Sequence, residues 1–227
     1  MSDKEGKLYL VPTPIGNLKD ITYRAVEILK QVEIILVEDT RITKKLLNHY
    51  QIKAQLISYH KFNEHKITEQ VIDKLLKGIR MAMVSDAGTP GISDPGFLLI
   101  RTCIENGILI ESLPGPTAFL PALILSGLPC DRFVFEGFLP QKKGRTKRLT
   151  ELQHETRTMV FYESPFRIKK TIEQFADFFG NERKMSISRE ITKIYEETIR
   201  GSIGDILDNI ETLVEKGEFV IVLEGKK

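Results

Sequence analysis

The sequence predicts an α/β fold made of two domains, and three observations predict it. Short apolar runs alternate with amphipathic stretches from Leu8 to Leu223, the pattern of a mainly parallel sheet covered by helices. Glycine- and proline-rich segments follow several of those runs, as loops at strand exits do. The alternation then breaks at Leu128-Pro129-Cys130-Asp131 and starts afresh. Residues 1–127 are therefore expected to form an N-terminal domain and residues 128–227 a C-terminal one. The active-site cleft is expected between them, since ligand sites favour domain interfaces.

Leu8–Pro12 reads as a buried first strand, followed by the turn-rich T-P-I-G-N at Thr13–Asn17. Ile21, Ala25, Ile28 and Leu29 share one face of a helix over Ile21–Gln31. Glu33–Val37 is a second apolar strand that closes on Glu38-Asp39-Thr40-Arg41. Charge crowded at a strand exit suits a ligand crevice. It equally suits a helix over Arg41–Tyr50 capped by Asp39 or Thr40, and both readings stand. Gln55–Ser58 is a third strand and Ile67–Lys77 an amphipathic helix. Between them His60, Asn63, Glu64 and His65 raise a metal reading. With no cysteine and no HExxH pattern, a helix start flanked by surface histidines accounts for them, and no metal is expected.

Strand Ile79–Val84 runs into S-D-A-G-T-P-G-I-S-D-P-G at Ser85–Gly96. Three glycines and two prolines in twelve residues exclude a helix interior or a central strand. A loop of this kind lets main chain approach a ligand closely, and Asp86 and Asp94 add acceptors. A helix over Phe97–Glu105, a strand over Ile108–Leu113 and the loop P-G-P-T-A at Pro114–Ala118 complete the first domain. In the second, strands are expected at Phe133–Gly137, Thr158–Tyr162, Lys184–Arg189, Glu196–Arg200 and Phe219–Leu223, the third and fourth forming an antiparallel pair. Helices are expected at Arg145–Glu155, at Pro165–Phe179 with proline in its first turn, and at Ile203–Lys216.

The chain of 227 residues carries a net charge of only +2, which gives no general argument for nucleic acid. Cys103 and Cys130 lack metal-ligand spacing and suit a reducing compartment. The N-terminal stretch has no apolar signal region, and no apolar run is long enough to span a bilayer. A cytoplasmic protein without membrane contact is expected. No G-x-x-x-x-G-K-[ST], G-x-G-x-x-G or G-x-S-x-G is present, so P-loop hydrolysis, a Rossmann dinucleotide site and elbow-type covalent hydrolysis are unsupported. What remains is three Gly/Pro loops, Pro12–Gly16, Ser85–Gly96 and Pro114–Pro116, which a parallel sheet would bring to one side. Poor in basic residues, they suit a flat heterocycle with a zwitterionic tail better than a polyphosphate.

Seven motifs in order then carry a resemblance: V-P-T-P-I-G-N-L-K-D-I-T at Val11–Thr22, V-E-D-T-R at Val37–Arg41, the Ser85–Gly96 loop, P-G-P-T-A, F-E-G-F-L-P at Phe135–Pro140, F-Y-E-S-P-F-R at Phe161–Arg167 and S-R-E-I-T-K at Ser188–Lys193. Together they resemble the bacterial 16S ribosomal RNA cytidine-2′-O-methyltransferases, within the tetrapyrrole (corrin/porphyrin) methylase superfamily. The resemblance implies two α/β domains of tetrapyrrole-methylase type, S-adenosylmethionine as cofactor, a homodimer, and 16S rRNA or the 30S subunit as partner. It implies cofactor contacts from Ile15, Gly16, Ala87, Gly88, Thr89, Ile92, Thr117 and Ala118, with Glu163 and Thr192 closing over the adenosine. The S-D-A-G-T-P loop departs from the G-G-D-P of the tetrapyrrole branch, in keeping with an RNA substrate.

Activation of a ribose hydroxyl needs a base or a cation at the oxygen, and Asp39, Arg41, Glu190 and Lys193 are assigned that work. A salt-bridge network is the alternative for each. RNA contact is expected from the basic run Gln141–Arg148, through Lys142, Lys143, Arg145, Lys147 and Arg148. Two other functions fit the same sequence: methylation of a tetrapyrrole-like small molecule, and a non-catalytic RNA-binding assembly factor.

Overall fold

Residues 5–227 are described by the structure, a computed structural model. The first unit comprises β1 (Lys7–Leu10), α1 (Tyr23–Gln31), β2 (Ile34–Val37), α2 (Thr40–His49), β3 (Gln55–Ser58), α3 (Glu64–Leu76), β4 (Arg80–Met83), α4 (Phe97–Glu105) and β5 (Leu109–Ser112). Its strands form one sheet in the order β3-β2-β4-β1-β5, and every pair is parallel. A parallel sheet covered on both faces needs strands that are apolar throughout. Leu8, Leu36, Met81 and Met83 pack with Leu75 of α3 and Leu99 of α4. Val11, Ile35, Ala82 and Val84 pack on the opposite face with Leu29 of α1 and Leu47 of α2.

Neighbouring strands β1 and β4 thus send their helices to opposite faces. Such a switch point leaves a crevice beyond the carboxyl ends of the strands. Asp39 supplies the cap of α2 by accepting from the Arg41 amide. His60 and Asn63 belong to a turn into α3: Asn63 Oδ1 accepts from the His60 amide, and Asn63 Nδ2 donates to the Ser58 carbonyl.

The second unit begins at Ala118, ahead of the expected linker. It comprises α5 (Phe119–Ser126), β6 (Phe133–Phe138), α6 (Arg145–Leu152), β7 (Thr158–Glu163), α7 (Ile168–Phe179), β8 (Lys184–Arg189), β9 (Glu197–Ser202), α8 (Ile203–Asp208) and β10 (Phe219–Leu223). The sheet order is β6-β7-β10-β8-β9. Only β6 and β7 are parallel; the other pairs are antiparallel. Phe161, Ile187 and Ile221 on one face pack with Leu149, Phe175 and Ile203 of α6, α7 and α8. On the other face α5 lies over the sheet, its Phe119 ring 4.7 Å from Phe135 and 6.2 Å from Phe133.

Three elements differ from expectation for physical reasons. Helix α5 was not anticipated, because F-L-P-A-L-I-L-S is apolar all round and has no amphipathic period. Its Pro121 sits in the first turn, where no backbone donor is needed, and Gly127 in the left-handed region ends it. Helix α7 starts three residues after Pro165, because Ser164 accepts from the Phe166 amide through Oγ and from the Arg167 amide through its carbonyl, forming a separate turn. The last helix stops at Asp208, not Lys216. Asn209 Nδ2 donates to the Asp205 carbonyl there, and a 3-10 turn follows at Ile210–Thr212. Among the described residues no helix is long and apolar enough to cross a membrane.

A buried ionic network joins α6 and α7 to the sheet. Glu163, only 3% exposed, accepts from the Ser164 amide at 2.7 Å, Arg167 Nε at 2.8 Å and Thr171 Oγ1 at 2.8 Å. Arg145 Nη2 lies 3.6 Å from the same carboxylate and donates to Thr171 Oγ1, while Nε donates to Gln174. Removing one member strands a buried charge, at a cost of roughly 3–5 kcal/mol. Glu163→Ala is therefore expected to lower the thermal unfolding midpoint sharply, and Glu163→Gln less so; calorimetric scanning of both variants measures this.

Candidate active site

Because the first sheet is all parallel, the exits of β1, β2, β4 and β5 share one edge, and three of them are knitted together there. Thr13 and Gly88 form a two-way antiparallel bridge, amide to carbonyl at 2.9 and 3.0 Å. Thr13 Oγ1 donates to the Ser85 carbonyl and Ser85 Oγ to that of Gly88. Thr89 Oγ1 reaches the third loop by donating to the Pro116 carbonyl at 3.0 Å. Gly88 has φ +82°, and a Cβ there would sit 3.3 Å from Ile15 Cγ2. At Gly115 a Cβ would come within 2.6 Å of Pro12 Cβ, so only glycine lets those loops touch. Main chain therefore dominates the lining of this edge.

The expected cofactor residues of the first unit gather here. Ile15 and Gly88 are buried within the knit, Thr89 and Thr117 are half-buried, and Gly16, Ala87 and Ile92 face solvent. Ala118 stands at the start of the second unit, as the N-cap of α5.

Four carboxylates crowd the same edge. Asp39 is clasped by Arg41, whose Nη2 lies 2.6 Å from Oδ2 and whose Nε reaches both oxygens. That side-chain bond, with the Arg41 amide, holds the Asp39 carboxyl down at about 2. Its neighbours move the other way. Burial pushes Glu38 up, reinforced by Asp94, Asp86 and Asp39. Burial also pushes Asp86 up, even though its Oδ1 accepts the Asp39 amide at 3.0 Å. Asp94 rises through burial, with Asp86 adding to it. An edge so charged attracts a cation and repels a polyphosphate. Sequence reasoning named Asp86 and Asp94 only as acceptors and passed over Glu38; the signal was the acidic pair closing β2. Among the described residues no group of three or more His, Cys, Asp or Glu is placed to hold a metal ion.

In the second unit, Glu190, Thr192 and Lys193 form the turn after β8. Glu190 has φ +53° and Thr192 φ +68°; for a β-branched residue this is a strained backbone, worth about 1–3 kcal/mol. The turn is over-determined. The Glu190 amide donates to the Glu218 carbonyl, the Thr192 amide to Glu196 Oε2, and Lys193 Nζ to Glu190 and Glu218 at 2.7 and 3.0 Å. Burial is the largest single influence and works against charge on both Glu190 and Lys193, but their mutual bond, the bonds to Glu218 and the neighbouring charges together outweigh it, so Glu190 is lowered and Lys193 raised. Both stay ionised at neutral pH. The Thr192 hydroxyl is buried and lacks a hydrogen-bond partner.

Two expected site residues are committed elsewhere. Glu163 is saturated by the core network described above, so its carboxylate is not offered to a cofactor. Arg145, 7% exposed, is a cation of that network, with Arg167, and not a surface group. Arg148 is also engaged, with both Glu136 oxygens and with Glu151. Of the basic run, Lys142, Lys143 and Lys147 extend into solvent. Sequence inspection counts charges along a segment; it does not show that one of them turns inward at the first residue of a helix.

The family profile described as Tetrapyrrole (Corrin/Porphyrin) Methylases matches residues 7–207. The chain is 48% identical to the ribosomal RNA small subunit methyltransferase I of Halalkalibacterium halodurans, over 98% of this chain and 77% of that one. It is 47% identical to the protein of that name from Escherichia coli O157:H7 (99% and 80% covered). It is 44% identical to the one from Thermotoga maritima (98% and 100%). In fold it is similar to the methyltransferase CobJ, with TM-score 0.71, 18% identity and 97% and 94% of the two chains covered. It is also similar to a uroporphyrin-III C-methyltransferase from Thermus thermophilus complexed with S-adenyl homocysteine, with TM-score 0.66, 16% identity and 96% and 97% covered.

The Pro12–Gly115 contact gives the site a direct test. Gly115→Ala must push a proline ring aside, an overpacking cost of about 1–3 kcal/mol. A lower unfolding midpoint is expected, together with looser protection of the Thr13 and Gly88 amides in hydrogen exchange.

Proposed function

The chain belongs to the tetrapyrrole (corrin/porphyrin) methylases, and we propose that it uses S-adenosylmethionine to methylate the ribose 2′-hydroxyl of a cytidine in 16S ribosomal RNA. The observation that carries this reading is near-full-length identity of 44–48% to proteins named ribosomal RNA small subunit methyltransferase I. The small ribosomal subunit or its RNA is the substrate, and the enzyme works in the cytoplasm as a homodimer. Methylation of a tetrapyrrole-like molecule draws on structural likenesses of 16–20% identity, which speak to fold alone.

The residues at the sheet edge fit the cofactor. Main chain around Gly88, with no side chain in the way, suits a flat heterocycle, and the carboxylate cluster suits a cation. When bound, S-adenosylmethionine supplies a methyl group on a positively charged sulfur. The knit of Ile15, Gly16, Ala87, Gly88, Thr89, Ile92 and Thr117 binds and orients it. In the second unit the Thr192 hydroxyl, unpaired in its strained turn, is left able to pair with a polar ligand atom.

Placement carries much of the rate in such a transfer, but the hydroxyl proton needs an acceptor. Asp39, clasped by Arg41, is a weak one. Glu38, Asp86 and Asp94, each raised, are stronger, and proton acceptance is assigned to this trio. Asp39 then acts as a positioning residue: it caps α2 and fixes Asp86 through its amide, and Arg41 holds it in place. Glu190 and Lys193 maintain the turn that presents Thr192. Lys142, Lys143 and Lys147 neutralise RNA phosphates.

Incubation with methyl-labelled cofactor and small subunits from cells lacking this protein is expected to place label at one cytidine, in a linkage resistant to alkali. Label on a base overturns the ribose assignment, and no label at all leaves an assembly factor. The carboxylates attract a cation only when ionised, so that attraction is complete above their raised pKa values and lost as pH falls through them. The preference for S-adenosylmethionine over S-adenosylhomocysteine, whose sulfur is neutral, should therefore shrink on acidification, from a higher pH than ordinary carboxylates near ~4 would give. Calorimetric titration with both ligands across pH measures it.

A further inference from the structure

The second sheet spends one residue on turning a ring outward. Between β6 and β7 the register shifts at Phe135/Gly137, so that Phe135 faces Val160 and Phe138 faces Tyr162. Glu136 is the extra residue of this bulge, and Gly137 adopts φ +61°. Without it Phe135 and Phe138, three apart, would point to opposite faces. With it, Phe138 joins the face of Phe133, Phe135 and Tyr162 and extends a row of rings. Phe119 stacks near Phe135, Phe135 lies 5.2 Å from Tyr162, and Tyr162 lies 5.5 Å from Phe138. The inner rings are partly buried; Phe138, at the strand exit, remains 55% exposed.

Beside that ring a cleft of about 390 Å³, within the ~300–1,000 Å³ range of small-ligand pockets, is lined by Phe138, Pro140, Gly144, Lys147 and Arg148 among others. Its two acids, Glu136 and Glu151, are both bonded to Arg148, which leaves Lys147 as its uncommitted cation. Lys142 and Lys143 stand exposed in the loop leading to Gly144. At the neighbouring strand exit Phe166 is 93% exposed, on the turn that Glu163 anchors. Rings open to solvent beside unpaired lysines form the pattern of a single-strand nucleic-acid platform: every base offers a flat face to stack, and every phosphate a charge to neutralise.

We infer that Phe138 is a base-stacking residue for single-stranded ribosomal RNA, with Lys142, Lys143 and Lys147 on the adjoining phosphates and Phe166 as a second ring. This rests on the RNA-methylation reading above and adds where, and through what chemistry, the unpaired strand is gripped. A duplex cannot use the platform, because its bases are already stacked on each other.

The chain has no tryptophan, so Phe138→Trp installs a single reporter in the full-length protein. Titration with single-stranded oligocytidylate is expected to quench and shift its emission, while an RNA duplex of equal length leaves it unchanged. Phe138→Ala should weaken oligocytidylate binding roughly 10- to 100-fold, and Phe166→Ala by a smaller factor. S-adenosylmethionine affinity and the unfolding midpoint should stay as in the parent protein, and Phe138→Tyr should restore binding. Oligocytidylate affinity within twofold of the parent for Phe138→Ala, or a reporter blind to RNA, overturns the inference. So does a change of oligomeric state in Phe138→Ala, which would make the patch a contact between copies. If the parent protein itself transfers no methyl group yet the reporter responds, the reading of function fails and the platform stands.

Discussion

Everything at the candidate site depends on β1 lying parallel between β4 and β5. That placement brings loops far apart in sequence to one edge, where backbone can bond to backbone. The Thr13–Gly88 bridge then acts as a rivet, two amide-carbonyl bonds joining the exits of β1 and β4 beyond the sheet proper. Such bonds need main chains at strand distance, which explains the side-chain poverty of the loops. At Gly115 any larger residue would press on the Pro12 ring, and at Gly88 it would have to adopt a left-handed backbone. Proline on either side of Gly115, and Pro90 two residues after Gly88, reduce the freedom the loops would otherwise lose on ordering. A rigid, polar and nearly side-chain-free wall is the result.

Charge at this edge is arranged by a division of labour between adjacent acids. Arg41 neutralises Asp39 and leaves the Asp39 amide free to bind Asp86. Glu38, Asp86 and Asp94 have no such clasp and are partly buried, so burial makes each harder to ionise, with Asp86 adding to Asp94 and both adding to Glu38. The second unit follows the opposite principle. There, Glu163 is bonded or paired with Arg145 and Arg167, and Glu190 with Lys193, and the work of both groups is mechanical: one fastens two helices, the other stabilises a turn with two residues at positive φ. Acids of similar appearance in the sequence thus serve different ends, and it is the partner that decides.

Much of the fold was legible because strands buried on both faces must be apolar end to end. All ten strands fall on the expected runs, and the three Gly/Pro loops meet as a parallel sheet requires. Helix α5 was illegible for the converse reason: a helix apolar all round carries no period to detect, and its proline reads as a break. The second compact unit includes this helix and starts at Ala118, where the expected boundary lay after residue 127. At the site, backbone-lining residues could be read from loop composition, but the fates of Glu163 and Arg145 could not. Both are charged residues in segments that read as a loop or a surface, and only long-range packing with Thr171 and Gln174 takes them inside. The exposure of Phe138 was hidden for a related reason. A two-residue period along F-V-F-E-G-F gives the wrong face unless the bulge is known.

That bulge also bears on how the protein can vary over time. Substitutions along β6, Gly137 with its left-handed backbone excepted, alter what each position carries but leave the direction of its last ring intact. Loss of a single codon there would do what no exchange of amino acids can: it would rotate the strand end by half a turn and drive an aromatic ring into the oily layer between sheet and helices. Length, more than identity, is the property of this short segment that inheritance has least liberty to change.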